Sequence, residues 1–201
     1  MQINKLLAAV ALTAVAGASH ADNFFVNTNL GVSNYALQSD ALDRSGYAQA
    51  LRFGYQWGGD FSYGIETGYA NLGHGRTYYG HITGTTTTVE RVDGFMLGGN
   101  LKYSLPQGFY VSGRAGFFRS RDNIHVIDRV WILPDTTRSV YRDSHDKVTG
   151  MSSYVGLGVG YDLNKSFGLG LSYDRYRAHQ DRYSELTPRV GMYSVTAEYR
   201  F

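Results

Sequence analysis

Tyr193-Ser194-Val195-Thr196-Ala197-Glu198-Tyr199-Arg200-Phe201 alternates a large or apolar residue with a polar one. A period of two puts Tyr193, Val195, Ala197, Tyr199 and Phe201 on one face of an extended strand. Ser194, Thr196, Glu198 and Arg200 fall on the other. Seven more stretches carry the same period: residues 24–32, 47–57, 61–69, 95–103, 109–117, 151–161 and 167–173. Their apolar faces are built from Phe, Tyr, Leu, Ile and Val. Their opposite faces carry glycine, small polar residues and a few charges.

Alternation alone fits a soluble sandwich as well as a barrel with its apolar face outside. The connections separate the two. Gly58-Gly59-Asp60, Ser104 to Gly108 and Asp162 to Ser166 are short, whereas residues 36–46, 70–90, 119–148 and 176–189 form longer connections. Short turns at one end and long loops at the other are the pattern of outer-membrane barrels. Aromatics mark the short-turn end of every strand: Phe24, Trp57, Phe61, Tyr103, Phe109, Tyr161, Phe167 and Phe201. A second belt comprises Tyr47, Tyr69, Phe95, Phe117, Tyr173 and Tyr193. Amphipathic rings collect at the two membrane interfaces. About eight residues at about 3.3 Å, tilted about 40°, separate such belts by about 20 Å. The expected fold is therefore all-β: an eight-stranded antiparallel up-and-down transmembrane barrel.

Composition agrees with that expectation. The chain has 201 residues, enough for one domain, with 17 Tyr, 10 Phe, 25 Gly, 3 Pro and no Cys. The formal net charge of +2 gives no electrostatic footprint for nucleic acid. Without Cys there is no disulfide or thiolate chemistry. At the N-terminus Lys5, the uncharged run Leu6 to Ala16 and Ser19-His20-Ala21 read as a secretory signal peptide over 1–21, with the barrel domain over 22–201. Cleavage after Ala18 is the alternative. The apolar run is too short for a membrane helix.

The terminal Tyr193-x-Val195-x-Ala197-x-Tyr199-x-Phe201 pattern resembles the C-terminal signature read by the outer-membrane assembly machinery. With the strand, turn and loop spacing, it makes the chain resemble the small eight-stranded barrels related to the OmpA transmembrane domain and to OmpX and Ail. The resemblance implies export to the cell outer membrane and contact with membrane lipid and lipopolysaccharide. It also implies surface loops suited to host surface or serum proteins.

The inward parity collects charges. Arg52, Glu66, Arg114 and Asp174 are expected near mid-height, and Lys102, Glu198 and Arg200 lower. A charge in a narrow closed lumen needs a partner, so Glu66 is expected to pair with Arg52 or Arg114. Gly156, Gly158, Gly160, Gly168 and Gly170 are expected to make room for Tyr110, Arg114 and Phe118. A plugged lumen is the default, and a narrow channel for ions or small solutes is the alternative. The longest loop is read as two arms continuing the fifth and sixth strands. Trp131, Ile132, Leu133, Arg129, Arg138 and Arg142 form a surface-binding candidate there, and its acids, Asp122 among them, are read as neutralising the arginines locally. The second long loop is read as a similar arm around Tyr78 to His81 and Thr85 to Thr88.

Enzyme chemistry finds little purchase. The His residues form no metal-ligand set. In Asp143-Ser144-His145-Asp146, Ser144 and His145 point to opposite faces of a strand, which spoils a nucleophile–base pair. No catalytic residue, cofactor or metal is expected. A lipid A-modifying enzyme is the least favoured function, behind a structural or adhesive role and the channel.

Overall fold

The computed structural model describes residues 23–36, 45–81, 84–131, 139–177 and 189–201. Residues 1–21, read above as a signal peptide, lie outside them. Eight strands follow in chain order: β1 (Phe24–Ala36), β2 (Ser45–Gly58), β3 (Phe61–His81), β4 (Gly84–Ser104), β5 (Phe109–Trp131), β6 (Ser139–Asp162), β7 (Phe167–Arg177) and β8 (Arg189–Arg200). Each pairs antiparallel with the next, and β8 closes on β1 from Phe25↔Arg200 to Ala36↔Arg189. Closure leaves no sheet edge in the wall, which hydrocarbon requires of any sheet that crosses it.

The period of two sets both surfaces. Phe61, Ile65, Leu97, Leu157 and Leu171 stand on the outer surface, each more than half exposed. Arg52, Asp174, Asn29 and Glu66 are buried inside. This inverts a water-soluble protein, which rarely leaves so large a contiguous apolar surface uncovered. The outer rings cluster at the short-turn end: Phe109 against Tyr161 at 5.2 Å, Tyr55 against Trp57 at 4.8 Å, Tyr199 against Phe201 at 5.0 Å.

The short turns are locally encoded. Gly58 has φ +112°, and a Cβ there would stand 2.3 Å from the Phe61 carbonyl oxygen, so no other residue suits the turn. In the turn from β6 to β7, the Asn164 Oδ1 accepts from the backbone N–H of Ser166 and Phe167 at 2.9 and 2.8 Å.

At the other end the strands are unequal. β5 and β6 have 23 and 24 residues, and β7 has 11. The connections read as loops over 70–90 and 119–148 are largely strand. β3 and β4 stay paired up to His81↔Gly84, β4 and β5 up to Gly84↔Val130, and β5 and β6 up to Trp131↔Ser139. The arms expected of the two loops thus join into one four-stranded sheet. Its departure from the barrel is marked by a bulge between Asn71 and His74, just where β3 loses β2 as a neighbour. Gly73 supplies a φ of +76° there, and its N–H donates to Asn71 Oδ1 at 2.9 Å.

Candidate functional site

Two charged layers and one apolar layer fill the barrel. In the middle layer Arg52 is fully buried. Its Nε lies 3.6 Å from Glu66 Oε1 and its Nη2 lies 3.4 Å from Asp174 Oδ2. Nη2 also donates to the Tyr176 hydroxyl at 2.8 Å, and Nη1 donates to Asn29 Oδ1. Glu66 accepts from the Tyr154 hydroxyl at 2.7 Å. Arg114 Nε stands 2.8 Å from Asp174 Oδ1, an ion pair whose angle falls outside hydrogen-bond geometry. So Glu66 takes Arg52, and Arg114 takes Asp174. Two cations and two anions balance, Tyr154 donates to Glu66, and Tyr176 and Asn29 accept from Arg52, which offsets part of the cost of desolvating the charges; Arg52 Nε and Asp174 Oδ1 meet their partners by charge alone.

Toward the short-turn end a second balanced set forms. Lys102 Nζ reaches Asp162 Oδ1 at 3.0 Å and Glu198 Oε1 at 3.1 Å, and lies 4.0 Å from the centre of the Tyr110 ring. Arg200 holds both Asp162 oxygens, at 2.7 and 3.1 Å. Between the layers is a cavity of about 30 Å³, lined in part by Gln56, Glu66, Lys102 and Arg114. That is room for about one or two waters.

Toward the long-loop end, Ala48, Ala50, Ala70, Leu72, Met96, Phe118, Val190 and Met192 close the lumen with apolar side chains. The glycine wall of β6 and β7 serves Arg114 and Tyr110: a Cβ on Gly156 would meet Arg114 Nε at 2.8 Å, and one on Gly160 would meet the Tyr110 ring at 2.4 Å. It does not serve Phe118, which instead lies over Gly94 and packs on Tyr176 at 5.0 Å between ring centres. The reason is height, since Phe118 stands opposite Met96 and Ser152, above the glycine run.

Asp162, Tyr154, Tyr176 and Asn29 complete the network beyond the charges expected of it. The alternation offered the signal, because Tyr154 and Asp162 share the parity of Gly156 to Gly160, and Tyr176 shares that of Asp174.

Above the apolar layer sits Asp122, opposite Val92 and Val148 and 1 % exposed. It is not one of the loop acids that neutralise arginines, since neither carboxylate oxygen has a hydrogen-bond partner. The β5 strand continues through the connection and turns this residue inward. Burial, then the charges of Glu90 and Asp93, push its carboxyl up to about 7. An acid whose folded-state pKa is raised is destabilising once ionised. The arm should therefore be most stable below about pH 4 and lose stability as pH rises toward about 7. Amide exchange across residues 118–126 should accelerate over that window, beyond the intrinsic base-catalysed increase, and Asp122→Asn should remove the excess. An unchanged excess in the variant would contradict the assignment.

The surface-binding candidates divide. Ile132, Leu133 and Arg138 lie outside the described residues. Arg129 and Trp131 belong to the backbone of β5, and Arg142 is exposed on β6. Ser144 and His145 are successive residues of β6. Among the described residues no group of three or more His, Asp or Glu is placed to hold a metal ion.

Comparison with known proteins places this architecture. The description "outer membrane protein beta-barrel domain" matches residues 6–201. A search of curated proteins gave no match. Among solved structures, Ail, the attachment invasion locus protein of Yersinia pestis, aligns with a TM-score of 0.51 at 14% identity, over 90% of this chain and 99% of Ail. Its complex with the heparin analogue sucrose octasulfate aligns at 0.50 and 14%, over 89% and 98%. Neisserial surface protein A aligns at 0.53 and 15%, over 89% and 97%. At such identities the likeness is one of fold.

Proposed function

The chain belongs to the outer-membrane β-barrel family, and from that premise we propose that it acts at the cell surface as a non-enzymatic interaction protein, presenting the β3–β6 sheet to host surface or serum proteins. The observation that carries this reading is the contrast between a filled lumen and a long external sheet. Phe117 to Trp131, at about 3.3 Å per residue, is about 45 Å of strand beyond the upper aromatic belt. In that sheet the upper parts of β3 and β6 each have a ladder on one side only among the described residues. Such edges suit strand addition by a partner. By its name, Ail of Yersinia pestis serves attachment, which accords with this use of the fold.

Lipopolysaccharide is the partner proposed at the membrane surface. Outward residues just above the upper belt include Arg91, Arg119, Arg121, Lys147, Arg175 and Arg189, all exposed. Guanidinium groups match phosphate in geometry as well as charge. The outward row Tyr193, Val195, Tyr199 and Phe201 remains, on this reading, the part presented to the assembly machinery.

The filled lumen weighs against conduction of ions or small solutes, the competing role. Whole cells carrying the intact protein should bind matrix or serum proteins, and cells carrying a form trimmed between Arg121 and Asp143 should not. Purified protein in planar bilayers should be silent. Equal binding by both forms, or stepwise conductance, would overturn the proposal.

A further inference from the structure

The outer wall is not uniform. Across β6, β7, β8 and β1 lies an apolar groove of about 550 Å³. Leu171, Val195 and Leu30 form its lower row, each the cross-strand partner of the next. Tyr173 and Tyr193 form the upper row, with ring centres 4.7 Å apart. The strand row between these two supplies its floor. Gly158, Ser172, Ser194 and Gly31 form one continuous register row on the inner face of these four strands. No side chain in this row is larger than serine; the Ser172 and Ser194 hydroxyls stand 2.9 Å apart, and Asn29 donates to both from inside.

Directly above the tyrosines the same outward face carries Arg175, Arg177 and Arg189, all exposed. Arg177 and Arg189 are cross-strand partners, and Arg175 stands opposite Gly191. Gly191 leaves space for the Tyr173 ring, whose hydroxyl would lie 3.0 Å from a Cβ there. None of the three arginines forms an ion pair with a described residue, and no outward acid stands on the described parts of β7, β8 or β1 above the groove. Like charges placed directly opposite in a sheet repel. An anion between them reverses the sign of the interaction.

We propose that this groove and its arginine rim form a discrete binding site for an acylated, phosphate-bearing glycolipid of the outer leaflet: an acyl chain in the groove, a phosphate across Arg177 and Arg189, and Arg175 beside it. The site deepens the lipopolysaccharide reading above and rests on it. Charge complementarity selects the headgroup. The position of the groove, below the belt and open to the hydrocarbon, selects an acyl chain over a free anion. A flat stretch of wall with the same arginines would hold the phosphate but leave the chain unplaced.

Native mass spectrometry of the full chain released from detergent, with added diphosphoryl lipid A, reads the site directly. The wild type should retain one tightly held lipid A, not displaced by millimolar inorganic phosphate. Arg177→Gln with Arg189→Gln should weaken that adduct about tenfold or more. Leu171→Trp, which fills the groove, should weaken it as well, with folding verified by the gel shift between boiled and unboiled samples. Should Leu171→Trp fail that check, Val195→Phe replaces it. Lys165→Gln, at the short-turn end, should leave the adduct intact, and Arg119→Gln with Arg121→Gln, collar residues on the β5 side of the barrel, should weaken it clearly less than the rim pair does. Equal loss with the β5 pair would overturn the discrete site while leaving the wider collar standing. No retained lipid A on any form would overturn both, and displacement by phosphate would show an anion site without the acyl slot, which also overturns the proposal.

Discussion

Arg52→Met is expected to cost the barrel about 3–5 kcal/mol of unfolding free energy, the range for removing one partner of a buried ion network. The magnitude follows from what remains. Glu66 loses the Arg52 Nε at 3.6 Å and keeps the Tyr154 hydroxyl; Asp174 loses Nη2 at 3.4 Å and keeps Arg114. The layer passes from balanced to a net −1 inside the closed lumen. Urea unfolding of protein folded into lipid vesicles measures the loss. Adding Glu66→Gln to Arg52→Met restores the balance and should recover more than half of it. Were the cost of the single variant below about 0.5 kcal/mol, the range of an ordinary surface change, the layer would not be the structural element described here.

The second large effect sits on the opposite face. Ile65 is exposed, four residues from Phe61 in the lower belt and four from Tyr69 in the upper. In a soluble protein an exposed isoleucine becomes arginine within about ±0.5 kcal/mol. On the lipid face of a barrel at mid-depth the same change costs about 2–4 kcal/mol, falling to about 0–1 near the interfaces. Ile65→Arg should therefore lower the unfolding free energy in vesicles by that larger amount, and Tyr103→Arg, at the lower belt, by clearly less. Equal costs at both positions would contradict the placement of the bilayer.

The barrel was legible in the sequence because its two faces meet different solvents. Lipid outside and packed polar side chains inside impose a period of two over eight stretches, and interfaces collect the rings that bound them. Parity names a face, however, not a height or a rotamer. It brought Arg52, Glu66, Arg114 and Asp174 into one lumen, but the choice of Asp174 for Arg114 depends on the registers of β5, β6 and β7, which set the two side chains on either side of Gly156. Asp162 was hidden by its place at a turn, although it lies on the inner parity and ties Arg200 to Lys102. The arms were half legible. Thr85 to Thr88 and Ile124 to Trp131 are β-prone, but their joining into one sheet depends on the registers of β4 with β3 and β5. That joining is what turns Asp122 from a loop acid into a buried one.

Everything rests on hydrocarbon being the solvent of the outer apolar face. The chain has no cysteine, so Ile65→Cys takes a single spin label in protein folded into vesicles. Relaxation of that label by oxygen, which concentrates in lipid, and by a water-soluble nickel chelate gives its surroundings in one measurement. High oxygen access with negligible nickel access is the result predicted. High nickel access, or access to neither reagent as in a packed protein core, would contradict the account.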